Sequence, residues 1–158
     1  MDNTIKDIEN FYFERFGFEA EHIEPKFIPD TKMIIVIPVH NEPAITVTLD
    51  SLHKCNAPNA PIEVILVVNQ STNASDEVKE QNQRSIEAIN TWSQKLQNSS
   101  LICHIMSALD LPSKHAGVGL ARKIGMDEAL RRFASIDRNG LIVCLDADCT
   151  VHPSYLKE

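Results

Sequence analysis

A chain of 158 residues that is 43% hydrophobic and 23% charged has enough apolar material for one globular domain and is not a disordered tail. Its formal charge of −7, with no long basic block, excludes a general nucleic-acid binder, although an acidic protein can still hold a phosphate sugar through a bridging cation. No apolar run approaches the ~18 residues of a membrane span, and the N-terminus lacks the basic and apolar regions of a signal peptide.

Residues 4–16 place Ile5, Ile8, Phe11, Tyr12 and Phe16 in a helical stripe, with Thr4 as N-cap, Asp7 in the first turn and Gly17 at the stop. The stripe is a packing face, for the domain that follows or for a partner. Pro25 and Pro29 mark a linker. We therefore divide the chain into an N-terminal helix with linker, 1–31, and one domain, 32–158.

Residues 33–37 form the first buried strand, which Pro38 ends. Asn41 is expected to cap the next helix, with Pro43 in its first turn and Ile45, Leu49 and Leu52 turned inward. Pro58 and Pro61 close that helix. Residues 62–68 are the second strand and 69–72 its exit loop. Ser75 or Asp76 opens a long helix to about Leu96, with Val78, Ile86, Ile89, Trp92 and Leu96 near one face and Trp92 in the core. Residues 101–106 are the third strand and 107–115 a loop. Gly117-Val118-Gly119 then leads into a helix carrying Leu120, Ile124, Leu130 and Phe133. Residues 141–145 show no polar alternation and read as a strand buried on both faces. Pro153 is expected to begin a further helix.

This β-α-β-α-β-α-β pattern implies an α/β fold: a mostly parallel sheet, right-handed crossovers and helices on both faces. A switch point at the first strand gives the order 3-2-1-4. The exits of strands 1 and 4 are then neighbours, and residues 38–42 lie beside 146–148. Ligands of open α/β sheets bind at such carboxyl ends.

The four cysteines, Cys55, Cys103, Cys144 and Cys149, form no CxxC and match no zinc spacing. Cys103 and Cys144 lie in apolar runs and read as small hydrophobes, which implies a reducing, cytoplasmic compartment.

Asp146-Ala147-Asp148 puts two carboxylates at the exit of an apolar strand. Hard oxygen ligands there suit Mg²⁺ or Mn²⁺ and a phosphate-bearing substrate. His152 follows closely enough to be a further candidate for the metal. In the stretch 115–125, Gly117 and Gly119 let backbone approach a ligand, and the helix start offers free N–H groups to anions. Arg122 and Lys123 add positive charge near that end. The alternative is a plain turn and solvated helix residues. The first turn, 38–42, contains no glycine and lacks G-x-G-x-x-G, and no P-loop occurs, so NAD and P-loop chemistry lose their support. His40 and Glu42 can contact a nucleotide. His22 and His53 read as surface residues, and His104 alternates within a strand. No Ser-His-Asp or Cys-His arrangement is suggested by local spacing.

With these pieces in place the chain resembles the nucleotide-binding half of a family 2 glycosyltransferase of the GT-A fold. Four ordered segments between Met33 and Leu156 carry the resemblance: MIIVIPVHNE, VILVVNQST, GVGLARKIGMDEAL and GLIVCLDADCTVHPSYL. It implies that Pro38, His40 and Glu42 cradle base and ribose, and that Asn69 stands where the family usually has a base-reading Asp. It implies that Arg122 lies near the diphosphate, with Lys123 in place of the commoner Asn. Asp146, Ala147 and Asp148 match the nucleotide-sugar motif, with Asp146 and Asp148 on the metal. The activity implied is inverting, metal-dependent transfer from a nucleotide-diphosphate sugar to an unknown acceptor, of the hexosyltransferase type. The family's general base lies past this motif, so it is expected beyond Glu158, and the chain reads as a donor-binding half truncated after the D-x-D segment. Two other readings are a sugar-1-phosphate nucleotidyltransferase, whose Gly-rich basic first loop is missing from 38–42, and a non-catalytic nucleotide-binding or scaffold fragment.

Overall fold

Residues 34–39 are all buried, and a run of that kind needs cover on both faces of its strand. The computed structural model describes residues 4–18, 22–24, 26–56, 59–96 and 99–157, and there the run belongs to β1 (Met33–Val39). Parallel pairing joins β1 to β2 (Ile62–Ser71) on one side and to β4 (Leu141–Cys144) on the other. β3 (Leu101–Leu111) lies outside β2, so the order is β3-β2-β1-β4, as the pattern implies.

Alternate residues of the strands serve two layers. Ile35, Ile37, Val39, Val64, Leu66 and Val68 pack with α2 (Ile45–His53) and α3 (Asp76–Ser93). Ile34, Val36, Ile65 and Val67 instead meet Ala121, Ile124, Ala129 and Phe133 of α4 (Val118–Ser135). Trp92 is core, as expected, and its Nε1–H donates to Asp50 Oδ1 at 2.7 Å, which satisfies its one polar group.

At Gly125 the α4 backbone lies tight against the sheet. A Cβ there would collide with Val36 Cγ1 and stand 3.0 Å from Val67 Cγ2. Both valines are fully buried and stiff at χ1, so neither can turn away. Gly125→Ala is therefore expected to lower stability by roughly 1 kcal/mol. Overpacking of about 1–3 kcal/mol outweighs a helix-propensity gain of about 1 kcal/mol. Urea unfolding measures the sign, which is opposite to that of an exposed helical Gly→Ala change.

The N-terminal segment docks on the outer side of α4. α1 (Ile5–Phe16) starts with the expected cap: Thr4 Oγ1 accepts from Asp7 N, and Asp7 reaches back to Thr4 N. The predicted stripe is only partly its packing face. Ile8, Phe11 and Phe16 are exposed, while Tyr12 and Phe13 turn toward α4. The reason is polar. α4 carries three buried charged residues, Asp127, Glu128 and Arg132, and the N-terminal segment supplies partners for them. Tyr12 Oη and the Phe18 N–H donate to Asp127 at 2.8 and 2.9 Å. Arg132 Nη2 donates to the Lys26 carbonyl at 2.9 Å, and its Nε donates to Glu63 Oε2 at 2.5 Å. Glu63, buried in β2, also meets His104 Nε2 at 2.8 Å and accepts from Thr31 Oγ1 at 3.0 Å. His104 is thus the partner of a buried carboxylate rather than an idle strand residue.

Several boundaries differ from the sequence expectation. β1 continues through Pro38 to Val39. The carbonyls of Lys32 and Val36 accept from β4 and its exit, so even-numbered β1 residues face that side. The pairing ends at Val36–Cys144, so the N–H that Pro38 lacks falls past the ladder. β2 and β3 also run on, to Ser71 and Leu111, with an irregularity between Asn69 and Ser71. β4 is not buried on both faces: Leu141 and Cys144 are exposed. It is the border strand, and its outer edge is unpaired among the described residues. Cys144 is correspondingly not a buried hydrophobe, whereas burial pushes the Cys103 thiol up to about 12. Residues 153–156 form turns rather than a helix. Pro25 and Pro58 lie outside the described residues.

Candidate functional site

The carboxyl ends of β1 and β2 are tied together by polar side chains. His40 Nδ1 lies 2.8 Å from the Asn69 carbonyl. A carbonyl only accepts, so Nδ1 carries a proton and donates it. Asn41 does not cap α2. It has φ +50°, a left-handed conformation that asparagine tolerates, and its N–H donates to Asn82 Oδ1 of α3 at 2.8 Å. The residue before α2 is Ala44, and Glu42 accepts its N–H through Oε1 at 2.8 Å. Asn69 itself is buried, and its Oδ1 finds no hydrogen-bond partner among the described residues. Its Nδ2 donates to the Ala116 carbonyl, at the foot of α4, at a long 3.4 Å.

β4 ends beside β1 and delivers residues 145–149. Leu145 N–H still donates to the Val36 carbonyl at 3.0 Å. Asp146 and Asp148 are exposed, and Ala147 between them is buried in the α2-side core. This alternation holds the two carboxylates outward and the alanine inward. α2 grips the backbone here: Thr48 Oγ1 donates to the Ala147 carbonyl at 2.5 Å, and Ser51 Oγ accepts from Val151 N at 3.1 Å. Thr48→Val is isosteric but leaves that carbonyl without its donor. It is expected to cost about 1–3 kcal/mol in urea unfolding, with Thr48→Ser recovering most of the loss.

Gly117 stands at the N-cap of α4 and gives the helix no side-chain cap, so its first N–H groups are open to an anion. Added Cβ atoms at Gly117 and Gly119 would meet nothing within 4 Å, so packing does not require glycine at either position. One turn into the helix, Arg122 Nη2 bonds to Asp146 Oδ1, while Arg122 Nε is buried without a partner among the described residues. Lys123 points elsewhere. Its Nζ donates to Asp127 Oδ2, one turn along α4, at 3.0 Å and to Tyr12 Oη of α1 at 2.9 Å, so the Asp127 carboxylate balances its charge. Asp146, Asp148 and Cys149 present ligand atoms all within 4.8 Å of one another. Partial desolvation, then the Asp148 and Asp146 carboxylates, hold the Cys149 thiol above its ordinary range. Of these donors the two carboxylates are hard and suit Mg²⁺ or Mn²⁺, whereas the soft Cys149 sulfur does not. His152 Nδ1 is engaged by Ser154 Oγ at 2.7 Å and is outside this group.

A family model described as Glycosyl transferase family 2 matches residues 34–158. The chain belongs to glycosyl transferase family 2. Two solved structures similar to this family 2 chain are both of TarS from S. aureus. The TarS 1-349 crystal structure is 19% identical over 78% of this chain and 29% of that one, with a TM-score of 0.43. A second TarS structure is 19% identical over 80% and 18%, also at 0.43. The chain thus spans less than a third of the length of these structures. A search of curated proteins finds no match. No helix of this family 2 chain, among the described residues, is long and apolar enough to cross a membrane.

Of the residues singled out in the sequence of this glycosyl transferase family 2 chain, Pro38, His40, Glu42, Asn69, Arg122, Asp146, Ala147 and Asp148 all lie at the carboxyl edge of the sheet or at the foot of α4. The direct links are His40 with Asn69 and Arg122 with Asp146. Sequence reasoning missed Thr48 and Asn82, both buried and both bonded to site backbone. A signal existed. Thr48 interrupts the stripe of Ile45, Leu49 and Leu52, and Asn82 that of Val78, Ile89 and Trp92. A polar side chain on a buried stripe must find a partner there.

Proposed function

We propose that this chain is the donor-binding part of a glycosyltransferase that passes a sugar from a nucleotide-diphosphate sugar to an acceptor hydroxyl, with inversion and with Mg²⁺ or Mn²⁺. The observation that carries the reading is the convergence of four separate segments on one sheet edge, joined by the Arg122–Asp146 pair. Base and ribose lie at the β1 and β2 exits. There Asn69 Oδ1 offers an unpaired buried acceptor, His40 an exposed ring and Glu42 a half-buried carboxylate. The diphosphate lies over the open start of α4, within reach of Arg122. The bare Gly117 and Gly119 leave room for that approach.

Asp146 and Asp148 would hold the divalent ion, and the hard-oxygen donor set fits it. The bound cation supplies neutralisation of the negative charge that builds on the departing diphosphate. Arg122 shares that work as a charged hydrogen-bond donor. Thr48 keeps the Asp146–Asp148 backbone in place through Ala147. These assignments serve the donor and leaving group.

Calorimetric titration of the chain with UDP- and GDP-sugars, with and without Mn²⁺, tests the reading. Binding of at least one donor that strengthens on adding Mn²⁺ is expected. No Mn²⁺-dependent binding of any nucleotide sugar would count against it.

A further inference from the structure

We propose that Asn82 is a positioning residue that sets the nucleoside end of the site without touching the ligand. The proposal rests on reading the β1 and β2 exits as that end. Asn82 lies mid-way along α3 and is 1% exposed. Its carboxamide joins three points on two strand exits. Oδ1 accepts from Asn41 N at 2.8 Å, and Nδ2 donates to the Asn69 carbonyl and to Gln70 Oε1, both at 3.1 Å. The orientation of the amide is unambiguous, because a flip would oppose N–H to N–H and oxygen to oxygen.

Two features make this bond set decisive for geometry. Asn41 sits at φ +50°, where an asparagine persists but gains from being held. The Asn69 carbonyl also accepts from His40 Nδ1, so one oxygen fixes both the β2 exit and the His40 ring. The pairing of β2 with β3 is irregular just after Asn69, so the ladder constrains this exit less than the strand before it. α3 reinforces the same turn at a second place, where Ser85 Oγ donates to the Glu42 carbonyl at 2.8 Å. An amide donates and accepts at once, which an ionised carboxylate of the same shape does not. Aspartate would keep the bond from Asn41 N but set a carboxylate against Asn69 O and Gln70 Oε1.

The test compares the wild-type chain with Asn82→Asp, and with Asn82→Ser should the first variant fail to fold. Calorimetry follows binding of UDP, GDP and CDP with Mn²⁺, of pyrophosphate with Mn²⁺, and of Mn²⁺ alone. Hydrogen exchange follows the Asn41 amide. The substitution is expected to weaken the best-bound nucleoside diphosphate by about 10–100-fold, the equivalent of mispairing one buried polar group. Pyrophosphate and Mn²⁺ affinities should stay within about twofold, and Asn41 exchange should rise at least about tenfold. Unchanged nucleotide affinity, or an equal loss for pyrophosphate, would overturn the proposal. A wild-type chain that binds Mn²⁺ and no nucleotide would instead overturn the donor-site reading, with Asn41 exchange still deciding whether Asn82 holds the turn.

Discussion

Arg132→Met should lower the free energy of unfolding by about 3–5 kcal/mol at pH 7, a large part of the roughly 5–15 kcal/mol typical of a domain. Methionine keeps most of the apolar stem, so the loss is mainly that of the charge. Glu63 and Glu128 would remain as buried carboxylates without the guanidinium between them, which now lies 2.5 Å from Glu63 and 3.6 Å from Glu128. The dependence on pH identifies the cause. Burial alone would raise the Glu63 carboxyl. The His104 hydrogen bond, the Arg132 charge and the Thr31 hydroxyl together hold it below the ordinary range. A carboxyl depressed in the folded state contributes stability that is complete above its unfolded value, about 4.3, and is lost as pH falls through the folded value. Burial raises Glu128 despite the charges of Arg132, His22 and Arg131. Without Arg132 both carboxylates cost more when ionised, and protonation relieves both. The gap between wild type and variant is therefore widest near neutral pH and narrows toward pH 4. Urea melts at the two pH values measure it. An equal gap at both would assign the loss to packing of the arginine stem.

The layered sheet could be read from the chain because its signals are local. Runs such as 33–37 and 62–68 are apolar at every position, and only a strand covered on both faces calls for that. The β-α-β alternation then leaves few orders, and 3-2-1-4 is the one observed. The run at 141–145 shows the limit of the same argument. Ile142 and Val143 do serve opposite layers, but Leu141 and Cys144 lie on an exposed border. Composition cannot tell a central strand from a border strand with apolar neighbours above and below. The exits of β2 and β3 were equally hidden. Asn69 and Gln70 look like loop residues, yet Asn82 donates to the Asn69 carbonyl and to Gln70 Oε1, and pairing continues. The buried charges of α4 were invisible for a different reason. Asp127 is bonded to Tyr12 and Phe18, more than one hundred positions away, and no window of helical periodicity spans that distance. The candidate site was legible where chemistry sits at strand ends. It was not legible where α2 and α3 hold those ends from behind.

Asp146→Asn combined with Asp148→Asn should remove the Mn²⁺-dependent part of nucleotide-sugar binding entirely. The loss is on the order of 100-fold or more, because direct ligands matter at least as much as the outer-shell partners whose loss costs 10–100-fold. Arg122→Ala separates the two duties proposed for that corner. In the free chain its guanidinium is paired with Asp146, so an arriving cation must compete for the carboxylate. The side chains are 37% and 52% exposed, and a pair that open to solvent is worth about 0–1 kcal/mol. Removing the competitor should thus raise affinity for Mn²⁺ alone by no more than about fivefold. The same change should weaken the Mn²⁺–nucleotide complex by about tenfold, through loss of a charge-assisted hydrogen bond worth roughly 1.5–3 kcal/mol, partly offset by the easier metal entry. The two affinities must therefore move in opposite directions in one variant. Manganese titration by electron spin resonance and calorimetry of the nucleotide complex give the two values. Parallel movement of both would place Arg122 outside the diphosphate's reach and leave it only the task of neutralising Asp146.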